Sequence, residues 1–184
     1  MRKVKRLSAV FVLTGLLAGC AAPSYDVEVY LSPKFKEQLN VYPSLEVDIA
    51  GVNANEGERF ASCLVDEYFQ IGNALRSSTE HFTLYFSEDS IVPKRLDSGN
   101  PVWRKFGRKD AEQLYLLVNI PQESGKSTGP KDARKIVIPL ERTGLFGNNL
   151  RCFEISPAGI ISLKERPEGY PKPESAENRK ETEQ

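Results

Sequence analysis

The stretch Leu114-Tyr115-Leu116-Leu117-Val118-Asn119-Ile120 is a nearly continuous apolar run, with charged residues before it and Pro121 directly after it. A strand with one solvated face alternates apolar and polar residues, whereas a strand buried on both faces reads as an unbroken apolar run. We therefore predict that this stretch forms a strand in the middle of a sheet.

Other segments show the two-residue alternation that is typical of half-buried strands. In residues 45–49 the aliphatic residues share one predicted face, and Glu46 and Asp48 are predicted to face water. Pro139 cannot donate a backbone hydrogen bond, which predicts an edge position or a bulge for the strand at residues 135–140. The remaining predicted strands are residues 25–31, 81–86 and a hairpin of residues 151–155 and 160–163, with a loop or weak edge strand at residues 91–96.

Two helices are indicated by their start signals. Asn55 and Glu58 have the spacing of a capping-box variant, which predicts a helix that begins there and ends before Gly72. Asn100 followed by Pro101 predicts a short helical turn. That turn would place two aromatic side chains over the core, Trp103 and Phe106.

Many short strands with few helices between them predict a mainly β fold, an antiparallel β-sandwich with one inserted α-helix and a short helical turn. We expect a single sandwich domain over residues 20–165. Residues 166–184 are rich in charge and proline and are predicted to be a disordered tail.

The N-terminus has the pattern of a secretory signal over residues 1–19. Four basic residues precede an apolar run over residues 7–17, which is too short to span a bilayer as a permanent helix. The run ends in Leu17-Ala18-Gly19-Cys20, which resembles the lipobox of bacterial lipoproteins. This resemblance implies that the signal peptidase recognises Leu17, Ala18 and Gly19 and that the Cys20 thiol carries diacylglycerol. An ordinary signal peptide or a short N-terminal anchor is the alternative interpretation.

Acylation of Cys20 predicts a chain that works while attached to a membrane. Each buried CH₂ group contributes ~0.8 kcal/mol, so two or three acyl chains make the attachment effectively permanent. Ala21 follows the cysteine, and the sorting pattern of enteric lipoproteins then implies the outer membrane, with the domain facing the periplasm.

The charge balance argues against nucleic acid as a partner. The chain has 25 basic and 25 acidic residues, and removal of the four basic residues of the leader leaves 21 basic and 25 acidic, a net charge of −4. A mildly acidic chain without a basic cluster also lacks a polybasic membrane-binding surface.

Cys63 and Cys152 remain once Cys20 is acylated. In an oxidising periplasm they could form a disulfide, or they could remain two separate buried thiols. The sequence leaves both alternatives open.

No catalytic or cofactor motif is complete. Gly125-Lys126-Ser127-Thr128 imitates the end of a phosphate-binding loop, but Ile120 stands where that motif needs glycine, so no nucleotide is expected. His81 is the single histidine, and no nucleophile motif or metal-ligand spacing surrounds it. We therefore expect neither an enzyme nor a bound cofactor or metal.

The order strand, strand, helix and then a run of strands, together with the lipobox, resembles the outer-membrane lipoprotein of type VI secretion systems. This resemblance covers most of residues 20–165 and implies a small transthyretin-like sandwich that anchors a membrane complex. The early strand of that family carries an arginine and a Tyr-Gln-Leu run, whereas residues 45–49 here read Leu-Glu-Val-Asp-Ile. The resemblance therefore assigns no partner-binding residues to this chain.

The leading functional hypothesis is a structural or scaffolding lipoprotein with a protein partner in the cell envelope. A periplasm-facing lipoprotein that binds a small molecule or peptidoglycan is the alternative, and a hydrolase with an unrecognised site is the third. A concave apolar pocket with converging polar groups would favour the second hypothesis.

Overall fold

The computed structural model describes residues 23–121, 128–141 and 149–176 of the chain. The predicted leader, its Leu17-Ala18-Gly19-Cys20 motif and Gly125-Lys126-Ser127 lie outside the described residues. Among the described helices, none has the length and apolar character needed to cross a membrane.

Two sheets pack face to face. Within the described residues the strands are β1 (Asp26–Leu31), β2 (Leu45–Val52), β3 (His81–Phe86), β4 (Lys94–Leu96), β5 (Gln113–Val118), β6 (Lys135–Pro139), β7 (Leu150–Ser156), β8 (Gly159–Leu163) and β9 (Glu174–Ser175). Sheet I has the strand order β8-β7-β1-β4-β9, and sheet II has the order β3-β2-β5-β6. The predicted β-sandwich is confirmed.

Strand β5 is an interior strand of sheet II, as its apolar run predicts. Leu114 and Leu116 point into the core between the two sheets. Tyr115 and Leu117 point the other way, into a second apolar cluster on the outer face of sheet II. The run does not alternate because both faces of this strand are covered.

Strand pairing is mostly antiparallel, with two parallel exceptions. Strand β1 pairs in parallel with β7, and β4 pairs in parallel with the two-residue strand β9. Parallel neighbours need long connections, and both of these pairs join strands that are far apart in the chain. Pro139 ends β6 at an edge of sheet II, which confirms the predicted edge position.

The helices differ in part from the prediction. They are α1 (Lys34–Leu39), α2 (Ala54–Ser62), α3 (Val65–Tyr68), α4 (Ala74–Ser78) and α5 (Val102–Arg108). Three short helices therefore replace the single inserted helix. The cap is Asn53 and not Asn55, because the Asn53 side chain accepts a hydrogen bond from the Glu56 amide at 3.0 Å and the Glu56 carboxylate accepts one from the Asn53 amide at 3.4 Å.

The predicted short helical turn is confirmed as α5, which closes one end of the core. Trp103 and Phe106 are buried, and the Trp103 indole N–H donates to the Asp97 carbonyl at 2.9 Å. Asn100 accepts a hydrogen bond from the Val102 amide at 2.9 Å, although Pro101 occupies the cap position itself.

The close approach of α5 to β2 predicts a strict size limit at Gly51, where an added Cβ would lie 2.4 Å from the Phe106 ring. We expect Gly51→Ala to lower the free energy of unfolding by about 1–3 kcal/mol through overpacking. Gly99→Ala is the matched control, because no atom lies within 4 Å of an added Cβ there. Urea denaturation measures both variants, and equal midpoints would contradict the close packing.

Candidate interaction surfaces

Each outer face of the sandwich is covered by a separate segment of the chain. The helical segment, residues 53–79 with α2, α3 and α4, covers sheet II. The strap, residues 164–176, crosses sheet I from the end of β8 to the far edge, where β9 pairs with β4. Each segment is held to its sheet by a buried carboxylate.

Asp48 anchors the helical segment. Its side chain is fully buried, although the alternation of β2 predicts that it faces water, and that prediction is wrong. Thr83 donates to it at 2.7 Å, Tyr68 at 3.1 Å and the Arg76 Nε at 2.8 Å, and Arg76 also reaches Glu46 at 2.9 Å. The outer face of β2 is therefore buried because the helical segment lies over it.

The buried Asp48 carboxylate shifts the pKa of neighbouring side chains. Burial and the negative charge of Asp48 raise the pKa of the Tyr68 phenol far above its ordinary value. Burial alone would lower the pKa of Arg76, but hydrogen bonds and charge from Asp48 and Glu46 raise it. A buried ion pair needs such hydrogen bonds from its neighbours to offset the loss of hydration.

Two further cations fasten the helical segment. Arg134, which is almost fully buried, bonds Asp66 of α3 at 2.6 Å and Asp132 at 2.8 Å. The Lys135 ammonium donates to the carbonyls of Phe60 and Ala61 at 2.8 Å each, where α2 ends. A lysine at the C-terminus of a helix satisfies carbonyls that have no partner within the helix.

Glu28 anchors the strap. Its side chain is fully buried in β1, where Tyr30 donates to it at 2.6 Å. Arg166 of the strap donates to it through two nitrogens, at 2.7 and 2.8 Å. Tyr170 then donates to the Leu31 carbonyl at 2.8 Å. The prediction of a disordered tail from residue 166 is therefore wrong for residues 166–176, and residues 177–184 lie outside the described part.

Cys63 and Cys152, for which the sequence leaves a disulfide or two separate thiols open, lie on opposite outer faces of the sandwich and are both free. Cys63 packs against the cluster under the helical segment, and Cys152 stands opposite Glu28 in the register of β7 and β1. The disulfide alternative is not what the structure shows. Burial raises the pKa of both thiols, which leaves little of the reactive thiolate.

His81 lies between a backbone carbonyl and the buried Asp48 carboxylate. Its Nδ1 lies 2.9 Å from the Thr79 carbonyl oxygen, and its Nε2 lies 3.8 Å from Asp48. Among the described residues, no group of three or more histidine, cysteine or acidic side chains is placed to hold a metal ion.

No protein-family model matches the chain, and no curated protein does. Among solved structures, the chain is similar to Serratia marcescens Lip, a membrane-bound component of the type VI secretion system, with a TM-score of 0.50 and 10% identity over 79% of this chain and 99% of that chain. A chain described as the type VI secretion protein TssM C-terminal domain from EAEC aligns with a TM-score of 0.49 and 12% identity, over 76% of this chain and 100% of that chain. The type VI lipoprotein TssJ1 from Pseudomonas aeruginosa gives a TM-score of 0.39 and 12% identity, over 78% and 100% of the two chains.

The chain has the Lip fold. The similarity takes in nearly the whole length of Lip, and it agrees with the resemblance to type VI secretion lipoproteins that the order of elements indicates. At 10% identity it establishes the fold, and the surfaces have to be interpreted from this chain's own residues.

The Lip-fold sandwich exposes large apolar side chains on the helical segment. Leu64 is 39% exposed and Ile71 is entirely exposed. Single exposed aliphatic residues are common, but these two lie on a segment that three ion pairs hold to the rest of the fold. The helical segment is therefore our candidate contact surface for a protein partner.

An open cleft of about 460 Å³ lies between the edges of the two sheets, where β3 faces β4 and β9. Its lining includes Thr83, Ser87, Lys94 and Glu174 and is mainly polar. Sites for small molecules are usually enclosed and mostly apolar, so this cleft lacks the features of such a site.

The Asp48 network predicts a large cost when its cation is removed. We expect Arg76→Ala to lower the free energy of unfolding by about 3–5 kcal/mol, because it leaves a buried carboxylate without its charge partner. Lys36→Ala is the matched control, since it breaks an ion pair with Asp89 in which both side chains are more than half exposed. Urea denaturation should leave the control midpoint nearly unchanged, and a small effect of Arg76→Ala would contradict the assignment.

The Glu28 contacts predict an acid-sensitive strap. Burial raises the pKa of Glu28, but hydrogen bonds from Arg166 and Tyr30 and the charges of Arg166 and Arg95 outweigh it, so the pKa lies below the ordinary value of 4.5. A carboxylate whose pKa is lowered by folding stabilises the fold at higher pH and loses that contribution as the pH falls through its folded-state pKa.

We therefore expect the native chain to unfold at higher temperature than Glu28→Gln at neutral pH, and this difference to shrink below pH 4.5. Thermal unfolding followed by circular dichroism measures it. A difference that stays constant down to pH 2 would count against the Glu28–Arg166 pair as its source.

Proposed function

We propose that the chain is a lipid-anchored lipoprotein of the outer membrane that faces the periplasm and serves as a structural anchor for a type VI secretion membrane complex. The observation that carries the proposal is a Lip-fold sandwich placed directly after a lipobox-like cysteine. The first strand begins at Asp26, only a few residues beyond Cys20.

The short connection sets how far the domain reaches from the bilayer. An extended chain spans at most ~3.6 Å per residue, so the five residues between Cys20 and Asp26 reach about 18 Å. An acyl chain on Cys20 would thus keep the sandwich beside the membrane surface. This geometry suits a protein that fixes a partner at the bilayer.

We propose docking and not catalysis as the activity. The polar side chains that could act as catalytic groups already have structural roles in this fold. Asp48 pairs with Arg76, Glu28 pairs with Arg166, and His81 contacts a backbone carbonyl. The partner is a protein of the envelope, and Leu64 and Ile71 of the helical segment are its proposed contacts.

The alternative is a lipoprotein that binds peptidoglycan. The polar cleft between β3 and β9 supports this alternative, because glycan hydroxyls and peptide carboxylates need polar contacts. Purified peptidoglycan that sediments with the chain, without co-purifying envelope proteins, would support this alternative.

Replacement of the acylated cysteine tests the anchor. We expect Cys20→Ser to keep its leader, to lack fatty acids and to leave the outer-membrane fraction, because the thiol is the acyl acceptor. Mass spectrometry of the N-terminus and membrane fractionation in the native bacterium provide the measurement. Normal processing and anchoring of Cys20→Ser would overturn the lipoprotein assignment.

The docking surface is tested separately in the anchored chain. Ile71→Asp should keep the chain in the membrane but reduce co-purification of the type VI membrane complex at least tenfold. Leu39→Asp on α1 is the matched control, because Leu39 is also exposed, at 53%, and lies outside the helical segment. Equal losses in both variants, or in neither, would remove the helical segment as the contact surface.

A further inference from the structure

The strap lies on sheet I in the manner of a bound peptide. Arg166 supplies a charged anchor to Glu28, and Tyr170 packs edge-on against Tyr30 with ring centroids 5.1 Å apart. At its far end the strap adds a strand to the sheet, since the Glu174 amide donates to the Pro93 carbonyl at 2.8 Å and the Ala176 amide to the Arg95 carbonyl at 2.9 Å. A charged anchor, an aromatic anchor and an added strand are the elements with which domains bind extended peptides.

The strap itself is loosely seated. None of residues 164–176 is buried, and the Arg166 side chain is 53% exposed. A pocket of about 230 Å³ is lined by Tyr30 and Arg95 of the sheet together with Arg166 and Tyr170 of the strap. The groups beneath, by contrast, are closed off from water, because Glu28 is fully buried and Cys152 is 3% exposed. The strap therefore excludes water from these groups although its own residues stay at least partly exposed.

The charges of this face require a cation from outside the sheet. Arg95 lies 3.3 Å from Glu28, but it also pairs with Asp26 at 3.0 Å and contacts Asp97 at 2.7 Å. Without the contact from Arg166, three carboxylates would share the single guanidinium of Arg95. An arginine is suited to pair with Glu28, because its planar guanidinium makes two parallel hydrogen bonds to a carboxylate.

We propose that the outer face of sheet I is a peptide-binding face that the strap occupies within its own chain. Its partner is an extended protein segment with an arginine, an aromatic residue four positions later, and a following stretch that pairs with β4. Such a segment displaces the strap and takes over its contacts with Glu28, the Leu31 carbonyl and the edge of β4. The binding face depends neither on the lipid anchor nor on the secretion partner proposed above.

A tethered segment competes at an effective concentration that is roughly millimolar, so a free peptide binds the native chain only weakly. The test uses the full chain, purified in detergent, and a fluorescent peptide with the sequence of residues 164–176. We expect the double variant Arg166→Ala and Tyr170→Ala to bind this peptide at least tenfold more tightly than the native chain. Fluorescence anisotropy measures both affinities.

Two controls test whether Glu28 and the peptide arginine form the binding contact. Adding Glu28→Gln to the double variant should weaken peptide binding about tenfold, since the peptide arginine then loses its hydrogen bonds to a charged carboxylate. A peptide with alanine in place of its arginine should bind no variant. Equal affinity of the native chain and the double variant, no binding to either, or binding that ignores Glu28→Gln would overturn the proposal.

Thiol labelling shows whether the double variant has only lost its strap or has unfolded. Release of the strap should speed maleimide labelling of Cys152 at least tenfold and leave the rate at Cys63, on the other outer face, unchanged. If both thiols label faster, the variant has unfolded, and the single variant Arg166→Ala then decides by the same peptide titration.

Discussion

Each outer face of this sandwich carries a fully buried carboxylate, and each carboxylate is paired with an arginine from the segment that covers that face. Asp48 receives Arg76 from the helical segment, and Glu28 receives Arg166 from the strap. A carboxylate removed from water is stable only when a charge partner and further hydrogen bonds replace its hydration. This constraint fixes where both covering segments lie, and the surfaces available to a partner follow from it.

The two covers differ in how firmly they are held. The helical segment adds its own apolar cluster with Phe60 and Tyr68 to the Asp48 network, so its exposed residues lie on a segment with buried apolar contacts. The strap has no buried residue and is attached by polar contacts, one aromatic contact and a two-residue strand. Burial of apolar surface is the dominant source of stability, and the helical segment has far more of it than the strap. The helical segment therefore suits a permanent contact surface, and the strap suits a displaceable cover.

The likeness to Lip at 10% identity shows that the sandwich requires a pattern and not particular residues. The core between the sheets needs aliphatic and aromatic side chains at alternating positions, and many residue choices satisfy that need at similar volume. The covering segments are under a different constraint, because each must supply an arginine at the position of a particular carboxylate. The surfaces of two chains with one fold can therefore differ while their cores correspond.

The sequence by itself determined the class of fold, the interior position of β5, the edge position of Pro139 and the aromatic cover provided by α5. These features depend on periodicity and on local stereochemistry, both of which act over a few residues. Only the tertiary structure decided the burial of Asp48 and Glu28, the parallel pairs and the separation of Cys63 from Cys152. Arg76 is 28 positions from Asp48, and Arg166 is 138 positions from Glu28. Alternation identifies the face on which a side chain lies, but what covers that face comes from distant parts of the chain.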